Sequence, residues 1–360
     1  MYCELYKESV KRMELLNVKN LTISFKLGQE YHDAVDEISF TVNENETFAI
    51  VGESGCGKSA TAMSIMCLHN ESYTKVDGEI NFGGRNLLTL SEKELNQVRG
   101  NNIGMVFQDP LSSLNPLLKI GFQIEESLMY HTQKNKEERT ARAMELLNSV
   151  GIEHPEIAYD QFPHELSGGM RQRVIIAIAL SCNPSLLIAD EPTTALDVTI
   201  QAQILDLLRK LQRENKMSTI LITHDLGVVA EMADRVAVMY AGQIVETATC
   251  NELFKNPLHP YTQSLLYSIP SSEGTDIRLY TIKGNVPSLK NLPRKGCRFS
   301  PRIPWIDAAA HEEYPEIREV LPGHFVRCTC YKDFSADALA DYTKKLAERT
   351  QEKALARLQE

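Results

Sequence analysis

Residues 48–59 read FAIVGESGCGKS, a short apolar strand that runs directly into a glycine-rich turn. The turn fits the pattern G-x-x-x-x-G-K-[ST], in which backbone N–H groups curl around phosphate oxygens. A helix is predicted from Lys58 to about Leu68, and its N-terminus adds partial positive charge to the turn. The stretch therefore predicts a strand, a phosphate-binding loop and a helix, which is the context that the pattern requires.

The lysine and the serine of this loop have separate roles in phosphate binding. Lys58 is expected to reach the β and γ phosphates of ATP, and the Ser59 hydroxyl is expected to bind Mg²⁺. A chance glycine-rich turn is the alternative, and the flanking strand and helix argue against it. The predicted nucleotide contacts are Gly52, Glu53, Ser54, Gly55, Cys56, Gly57, Lys58, Ser59 and Ala60.

The segments around the loop alternate between strand and helix patterns. Leu21–Phe25 and Ile38–Val42 alternate apolar and polar residues, which is typical of half-buried strands. Downstream, Leu186–Ala189 is apolar on both faces, as expected at the centre of a mostly parallel sheet. Helical spacing follows at Ile200, Ile204, Leu208 and Leu211, and buried strands are predicted at Thr219–Thr223 and Val236–Tyr240. An α/β fold follows from this order.

Two carboxylates end the strand at residues 186–189. Asp190 is placed to hold Mg²⁺ directly or through water, and Glu191 is placed to polarise the attacking water. A solvated acidic turn would explain the pair equally well if it stood alone. Beside a phosphate-binding loop, phosphoryl transfer to water is the better explanation.

A helical region separates the two halves of the α/β pattern. Leu111–Asn115 is predicted to be a loop, Glu137–Val150 to be a helix, and Ser167–Ser181 to be a second helix capped by Ser167. In contrast, prolines interrupt the chain after about Pro270, which predicts a loop-rich appendage. Ala336–Glu360 is predicted to be a charged helix.

Composition limits the classes of function. The 360 residues carry a formal net charge of −10, which weighs against a nucleic-acid partner because such a surface needs clustered Lys and Arg. The longest apolar run, Val174–Leu180, is far shorter than the roughly 18 residues that span a bilayer. We expect no signal peptide at residues 1–20, which are charged.

The glycines after Ser167 predict a second anion site. Ser167 caps a helix, and Gly168 and Gly169 leave its first amides bare. Because one phosphate loop per chain holds one ATP, this second site suggests a head-to-tail dimer in which each chain closes over its partner's nucleotide. A plain capped helix is the alternative.

Residues 166–173, LSGGMRQR, resemble the signature of ABC ATPases, and further motifs match that family in order. By this resemblance Gln108 is the glutamine that senses Mg²⁺ and water, His224 contacts the γ-phosphate, and Ala195–Asp197 lie at the dimer interface. The resemblance implies catalytic roles for Glu191, His224 and Gln108, and metal contacts from Ser59, Gln108 and Asp190. It also implies an aromatic against adenine, for which we choose Phe25 over Tyr31.

The chain is most similar to the D-type ATPase subunit of the oligopeptide/dipeptide importer family, which includes nickel importers. The supporting stretches are QDP at 108–110, NPLHPYT at 256–262 and GCRFSPR at 296–302. The resemblance implies a P-loop NTPase core of the ABC ATPase type, with an inserted helical subdomain and a loop-rich C-terminal appendage. The implied divisions are 14–109 with 183–270 for the core, 110–182 for the helical subdomain, 271–335 for the appendage and 336–360 for the terminal helix.

This resemblance also implies partners, cofactors and a location. ATP and Mg²⁺ are the expected cofactors. The expected partners are a second ABC ATPase subunit, two transmembrane permeases and, indirectly, an extracellular substrate-binding protein, at the cytoplasmic face of the membrane. A distinct ATPase partner is expected, and a homodimer is the main rival. A nickel importer is the alternative function, followed by a non-transport ABC ATPase.

The cysteines of the appendage predict no metal site. Some relatives carry four cysteines there and hold an iron–sulfur cluster, whereas Ile303 and Ala310 stand at two of those positions here. Cys297, Cys328 and Cys330 offer three thiolates, and such sites usually need four ligands. We therefore expect the appendage to bind no metal, and either to stabilise the assembly or to contact its partner.

Overall fold

The structure is a computed structural model that describes residues 13–194, 196–268, 282, 284–303 and 306–333. Its strands, in chain order, are β1 (Glu14–Leu27), β2 (Glu30–Asn43), β3 (Thr47–Val51), β4 (Thr74–Phe82), β5 (Arg85–Asn86), β6 (Ile103–Val106), β7 (Leu186–Asp190), β8 (Ser218–Thr223), β9 (Arg235–Tyr240), β10 (Gln243–Thr249), β11 (Ile317–Leu321) and β12 (His324–Arg327).

The helices of the same residues complete the element order. They are α1 (Lys58–Ile65), α2 (Glu92–Val98), α3 (Pro110–Ser113), α4 (Ile120–His131), α5 (Lys136–Ser149), α6 (Pro155–Asp160), α7 (Gly168–Ala179), α8 (Val198–Asn215), α9 (Leu226–Met232), α10 (Cys250–Lys255) and α11 (Pro260–Tyr267). From β6 to β8 each strand is followed by one helix or, between β6 and β7, by a group of five, which confirms the predicted α/β pattern. The predicted charged helix at 336–360 lies outside the described residues.

A small antiparallel sheet packs against one face of the larger sheet. Its strand order is β2-β1-β4-β5. The alternation predicted for β1 is confirmed, because Leu16, Val18, Leu21 and Ile23 are buried and share one hydrophobic cluster with Ile50 of β3 and Ile188 of β7. The small sheet thus packs against one face of β3, the strand that leads into the phosphate loop.

The larger sheet places the functional segments at one edge. In the described residues its order is β11-β12-β10-β9-β3-β8-β7-β6, and the run from β9 to β6 is parallel. The loops after β3, β7, β8 and β6 therefore all leave from the same edge. Ligands bind at the carboxyl ends of strands in such sheets. The residues after these four strands are the predicted phosphate loop, Glu191, His224 and Gln108.

Helices α3–α7 come between β6 and β7, where the sequence predicts an inserted helical subdomain. Their fully buried residues Ile124, Leu147 and Val174 belong to a hydrophobic core that also includes residues of β6, β7 and α8. The predicted loop at 111–115 is wrong in part. Pro110–Ser113 form one helical turn, because Asp109 caps the Leu111 N–H and Pro110 occupies the first helical position.

The appendage is less loop-rich than its prolines predict. β11 and β12 form a hairpin, and β12 pairs with β10, so residues 317–327 extend the main sheet. The composition obscured these strands because they are short and lie between proline-containing segments. Among the described residues, we found no helix that is both long and apolar enough to cross a membrane.

Candidate active site

The phosphate loop is shaped by glycines that no other residue could replace. A Cβ on Gly52 would lie 2.1 Å from the carbonyl oxygen of Met239 in β9, and one on Gly57 would lie 2.7 Å from the Met239 Cε. Gly57 also has a φ of 110°, in the left-handed region that side chains rarely adopt. The loop is therefore pressed against β9, and α1 begins at the very next residue, Lys58.

Lys58 lies inside the curl of the loop. Its side chain is buried, and Nζ donates to the carbonyl oxygens of Gly52 at 2.7 Å and Glu53 at 3.1 Å. A cation enclosed by the loop's own backbone is pre-placed for a phosphate group. The geometry fits the role that the sequence predicts for Lys58.

Ser59 and Asp190 meet across the site. Ser59 Oγ donates to Asp190 Oδ1 at 3.1 Å, although the two residues are 131 positions apart. Burial raises the pKa of Asp190, and the hydrogen bond from Ser59 opposes that rise. A buried carboxylate next to a hydroxyl is an oxygen-ligand pair suited to Mg²⁺, whose charge would favour the ionised carboxylate.

Glu191 is held by three side chains from three different segments. Its Oε2 accepts from Gln108 Nε2 at 3.0 Å and from Thr194 Oγ1 at 2.9 Å, and its Oε1 lies 3.3 Å from His224 Nδ1. Its φ of 46° is unusual for a side-chain-bearing residue and turns the chain sharply after β7. The structure thus brings together the three residues predicted to be catalytic.

The charge state of Glu191 suits a proton acceptor. Burial raises the pKa of this carboxyl, but hydrogen bonds from Thr194 and His224 outweigh burial and lower the pKa below its ordinary value. The carboxylate is therefore ionised at neutral pH. An ionised carboxylate beside a phosphate loop can orient water and take its proton.

The predicted second anion site is exposed. Ser167 Oγ accepts from the Met170 N–H at 3.3 Å and caps α7, as predicted. A Cβ on Gly168 would meet nothing within 4 Å, whereas one on Gly169 would lie 3.0 Å from Ile200 Cγ2 at the start of α8. Asp197 caps α8 by accepting from the Ile200 N–H at 3.0 Å. Ser167, Gly168 and Asp197 are exposed, so this helix N-terminus is open to another molecule.

The two candidate adenine-stacking residues already have partners. Phe25, in β1 of the small sheet, packs against the hydrophobic core and meets the His69 ring edge-on at 5.8 Å. Tyr31 lies under the Lys75 ammonium at 4.1 Å. Both rings are partly exposed. The choice of Phe25 stays a prediction.

Two residues that the sequence did not predict, Tyr261 and Arg302, come from the C-terminal part of the chain and hold the phosphate loop. The Glu53 N–H donates to Tyr261 Oη at 2.8 Å, and Arg302 donates to both carboxylate oxygens of Glu53, at 2.6 and 3.1 Å. Burial raises the pKa of Tyr261 well above its ordinary value, so its hydroxyl is neutral. Both residues stand in the stretches 256–262 and 296–302, which the sequence singled out without indicating this contact.

Comparisons with known proteins agree with this geometry. Residues 35–194 match the family model described as ABC transporter, and residues 245–305 match the model described as oligopeptide/dipeptide transporter, C-terminal region. The oligopeptide transport ATP-binding protein AppD of Bacillus subtilis is 51% identical over 324 residues, which cover 90% of this chain and 98% of AppD. OppD of Lactococcus lactis subsp. cremoris is 48% identical over 89% of this chain and 95% of its own length.

Solved structures show the same cassette fold. The dimeric ATP-binding cassette MJ0796 bound to ADP and Pi matches with a TM-score of 0.59 and 33% identity, over 66% of this chain and 99% of its own. CbiO1 from Clostridium perfringens matches with a TM-score of 0.57 and 29% identity, over 68% and 92%. The predicted fold class, an α/β P-loop NTPase core of the ABC ATPase type, is confirmed.

Proposed function

Because this chain belongs to the family of ATP-binding subunits of oligopeptide/dipeptide ABC transporters, we propose that its ATP hydrolysis drives the import of oligopeptides or dipeptides. The chain is an ATP hydrolase of the ABC type that binds ATP. The cargo is supported by the names of its relatives, two oligopeptide transport ATP-binding proteins and a putative peptide import ATP-binding protein.

The observation that supports the catalytic assignment is the set of three contacts to Glu191. We assign to Glu191 the acceptance of a proton from the attacking water, and to Gln108 and His224 the positioning of that carboxylate and of the γ-phosphate. Lys58 neutralises the phosphate charge from inside the loop. Positioning and charge stabilisation supply most of the catalysis in phosphoryl transfer.

Ser59, Asp190 and Gln108 are the residues that would hold Mg²⁺. The ion would screen the β and γ phosphates when bound. The meeting of the Ser59 hydroxyl and the buried Asp190 carboxyl supports this assignment, because both offer oxygen ligands at the edge of the phosphate loop.

The exposed N-terminus of α7 supports a dimer of ATPase subunits. In that arrangement Ser167, Gly168 and Gly169 approach the ATP held by the partner subunit, and Asp197 lies at the interface. We propose that the partner is a distinct homologue and that both work under two permease subunits at the cytoplasmic face of the membrane. An extracellular binding protein acts only indirectly, through the permeases.

Replacing the proposed base tests this function. Glu191→Gln keeps the hydrogen-bonding shape but removes the carboxylate, so ATP should still bind while turnover of the assembled transporter falls by roughly 10²-fold or more. Steady-state phosphate release and nucleotide titration measure the two effects. Glu214→Gln, an exposed carboxylate on α8, is the matched control and should leave both unchanged. Turnover near that of the unmodified chain in Glu191→Gln would mean that Glu191 is not the base.

Uptake measurements test the cargo separately from the ATPase. Cells that lack this subunit should lose uptake of labelled oligopeptides and regain it with the unmodified chain but not with Glu191→Gln. Unchanged peptide uptake together with a loss of Ni²⁺ uptake would favour the nickel importer and leave the ATPase assignment standing.

A further inference from the structure

Four side chains of the appendage meet in one place. The ligand atoms of Cys297, His311, Cys328 and Cys330 all lie within 4.8 Å of one another. The three cysteines are buried, with exposed fractions of 5%, 2% and 0% in that order. The histidine is half-buried, and its Nδ1 is enclosed with no hydrogen-bond partner.

His311 supplies the fourth ligand whose absence led us to expect no metal in the appendage. That expectation counted three thiolates, because His311 is separated from each cysteine by at least 14 positions and follows a residue, Ala310, that has no ligand atom. The fold brings the imidazole to the thiols. An unpartnered, enclosed ring nitrogen is costly unless something binds it.

We propose that Cys297, His311, Cys328 and Cys330 bind one divalent metal ion, zinc in the first place, as a closed structural site. Three thiolates and one imidazole form a standard tetrahedral set for structural zinc. With a Zn–S bond of about 2.3 Å, the ligand atoms of such a site lie about 3.8 Å apart. The observed cluster needs only a small contraction to reach that spacing.

The same spacing argues against an iron–sulfur cluster. In a four-iron cube each thiolate binds a different iron, which spreads the sulfur atoms farther apart than a single ion does. The space around the thiols is also filled, because Ile303 is fully buried in the same hydrophobic cluster and Ala310 packs against it. A compact site for one ion fits this environment better than a cluster.

The position of the site gives it a structural role. Cys328 directly follows β12, Cys330 begins the short turn 330–333, and Cys297 precedes the turn that carries Arg302. One ion would tie these segments to the edge of the main sheet. Regular structure here is limited to short strands and single turns, so metal binding would supply much of the folding free energy.

Metal analysis of the full-length chain tests the proposal. Protein purified under reducing conditions from zinc-supplemented cells should contain about one zinc per chain after gel filtration. His311→Ala and Cys330→Ser should each weaken zinc binding by at least 10²-fold in competition with a chromophoric chelator, more than the about 10–100-fold that outer-shell changes cost. Cys182→Ser, a half-buried cysteine elsewhere in the chain, is the matched control and should keep one zinc.

A cobalt measurement on the unmodified chain tests the site even if a variant fails to fold. The unmodified chain, stripped and reloaded with Co²⁺, should show the visible bands of a tetrahedral site together with thiolate-to-cobalt charge transfer. The proposal is overturned by a chain without stoichiometric metal and without these bands, by about four irons per chain, or by variants that bind zinc as the unmodified chain does. A disulfide between two of the three cysteines in the freshly purified chain would overturn it as well.

Discussion

Glu53 occupies one of the variable positions of the phosphate loop, yet contacts from the C-terminal part of the chain hold both its side chain and its backbone. Arg302 donates two hydrogen bonds to the Glu53 carboxylate, and the Tyr261 hydroxyl accepts one from the Glu53 backbone N–H. The ion pair with Arg302 neutralises much of the negative charge of Glu53 beside the site for the phosphates. Without Arg302, that charge would stand close to the anion that the loop must bind.

Arg302→Ala should therefore weaken ATP binding. We expect a loss of roughly tenfold, equivalent to about 1.4 kcal/mol, because an unpaired carboxylate then repels the phosphates. Nucleotide titration in the Glu191→Gln background measures the affinity without turnover. Arg318→Ala removes an exposed ion pair of the same appendage and serves as the control.

The double variant Arg302→Ala with Glu53→Gln separates charge from packing. If the unpaired carboxylate causes the loss, neutralising it should restore most of the affinity, and the two changes will not be additive. The Arg302 guanidinium also lies over the rings of Tyr240 and Phe299, at 5.8 and 5.7 Å from their centroids. Purely additive losses would mean that Arg302 acts through this packing instead.

Single residues also show what the sequence could and could not predict. Lys58, Asp190 and Glu191 could be singled out because each lies at or after the carboxyl end of a buried strand, and chain order alone brings such residues to one edge of a parallel sheet. Tyr261 and Arg302 were not, since their contacts with Glu53 span 208 and 249 positions. His311 was missed for the same reason, as no local pattern links it to the distant thiols.

At the scale of elements, α11 is capped by a histidine that must be neutral. His259 Nδ1 accepts from the Tyr261 N–H at 3.1 Å, which caps the helix that carries Tyr261. Burial lowers the pKa of His259 to about 4, although the nearby Glu246 carboxylate opposes the decrease. Protonation would remove the acceptor and place a charge in the core.

This cap predicts a pH-dependent stability. The folded pKa lies below the unfolded value of about 6.5, so the unfolded chain binds more protons in this window and stability falls as pH drops from about 6.5 to 4. By pH 4 the protonation of His259 in the unfolded chain should have lowered the free energy of unfolding by about 3 kcal/mol. Chemical unfolding of the unmodified chain and of His259→Asn, which can still cap a helix, should differ in slope over this pH range. Identical slopes would mean that His259 does not titrate as described.

Some helices and strands differ from their predictions, because a capping residue or a pairing strand decided the structure against the local composition. Pro110 and Asp109 start a helical turn inside a segment that otherwise has the composition of a loop. β11 and β12 are too short to show a clear alternation, and pairing with β10 stabilises β12. Fully buried strands such as β7 and β8 were predicted closely, because their apolar runs have no other stable environment.

At the scale of the whole molecule, the exposed N-terminus of α7 predicts that full activity needs a second ATPase subunit. Ser167→Arg should place a bulky cation over the amides of Gly168 and Gly169 without touching the phosphate loop of the same chain. ATP binding to the isolated variant should persist, while hydrolysis at the partner's site in the assembled transporter should fall by roughly 10²-fold, as when transition-state donors are lost.

The isolated chain should in turn be a slow ATPase. Ser72→Arg, at an exposed serine outside the site, is the control for surface charge. If the isolated chain hydrolyses ATP at the full rate of the assembled transporter, and Ser167→Arg leaves that rate unchanged, the cross-dimer arrangement is wrong. A full rate that Ser167→Arg abolishes would instead favour the homodimer.

The pairing of β12 with β10 has a consequence for biosynthesis. A ribosome releases the chain from its N-terminus, so β10 emerges long before residues 324–327 that pair with it. Until then Glu246 and Thr247, both buried in the finished protein, stand at an open strand edge. Open edges of this kind invite pairing with other chains. The nascent cassette is thus exposed to aggregation until residues 324–327 have emerged, and a premature stop before residue 324 leaves it so permanently.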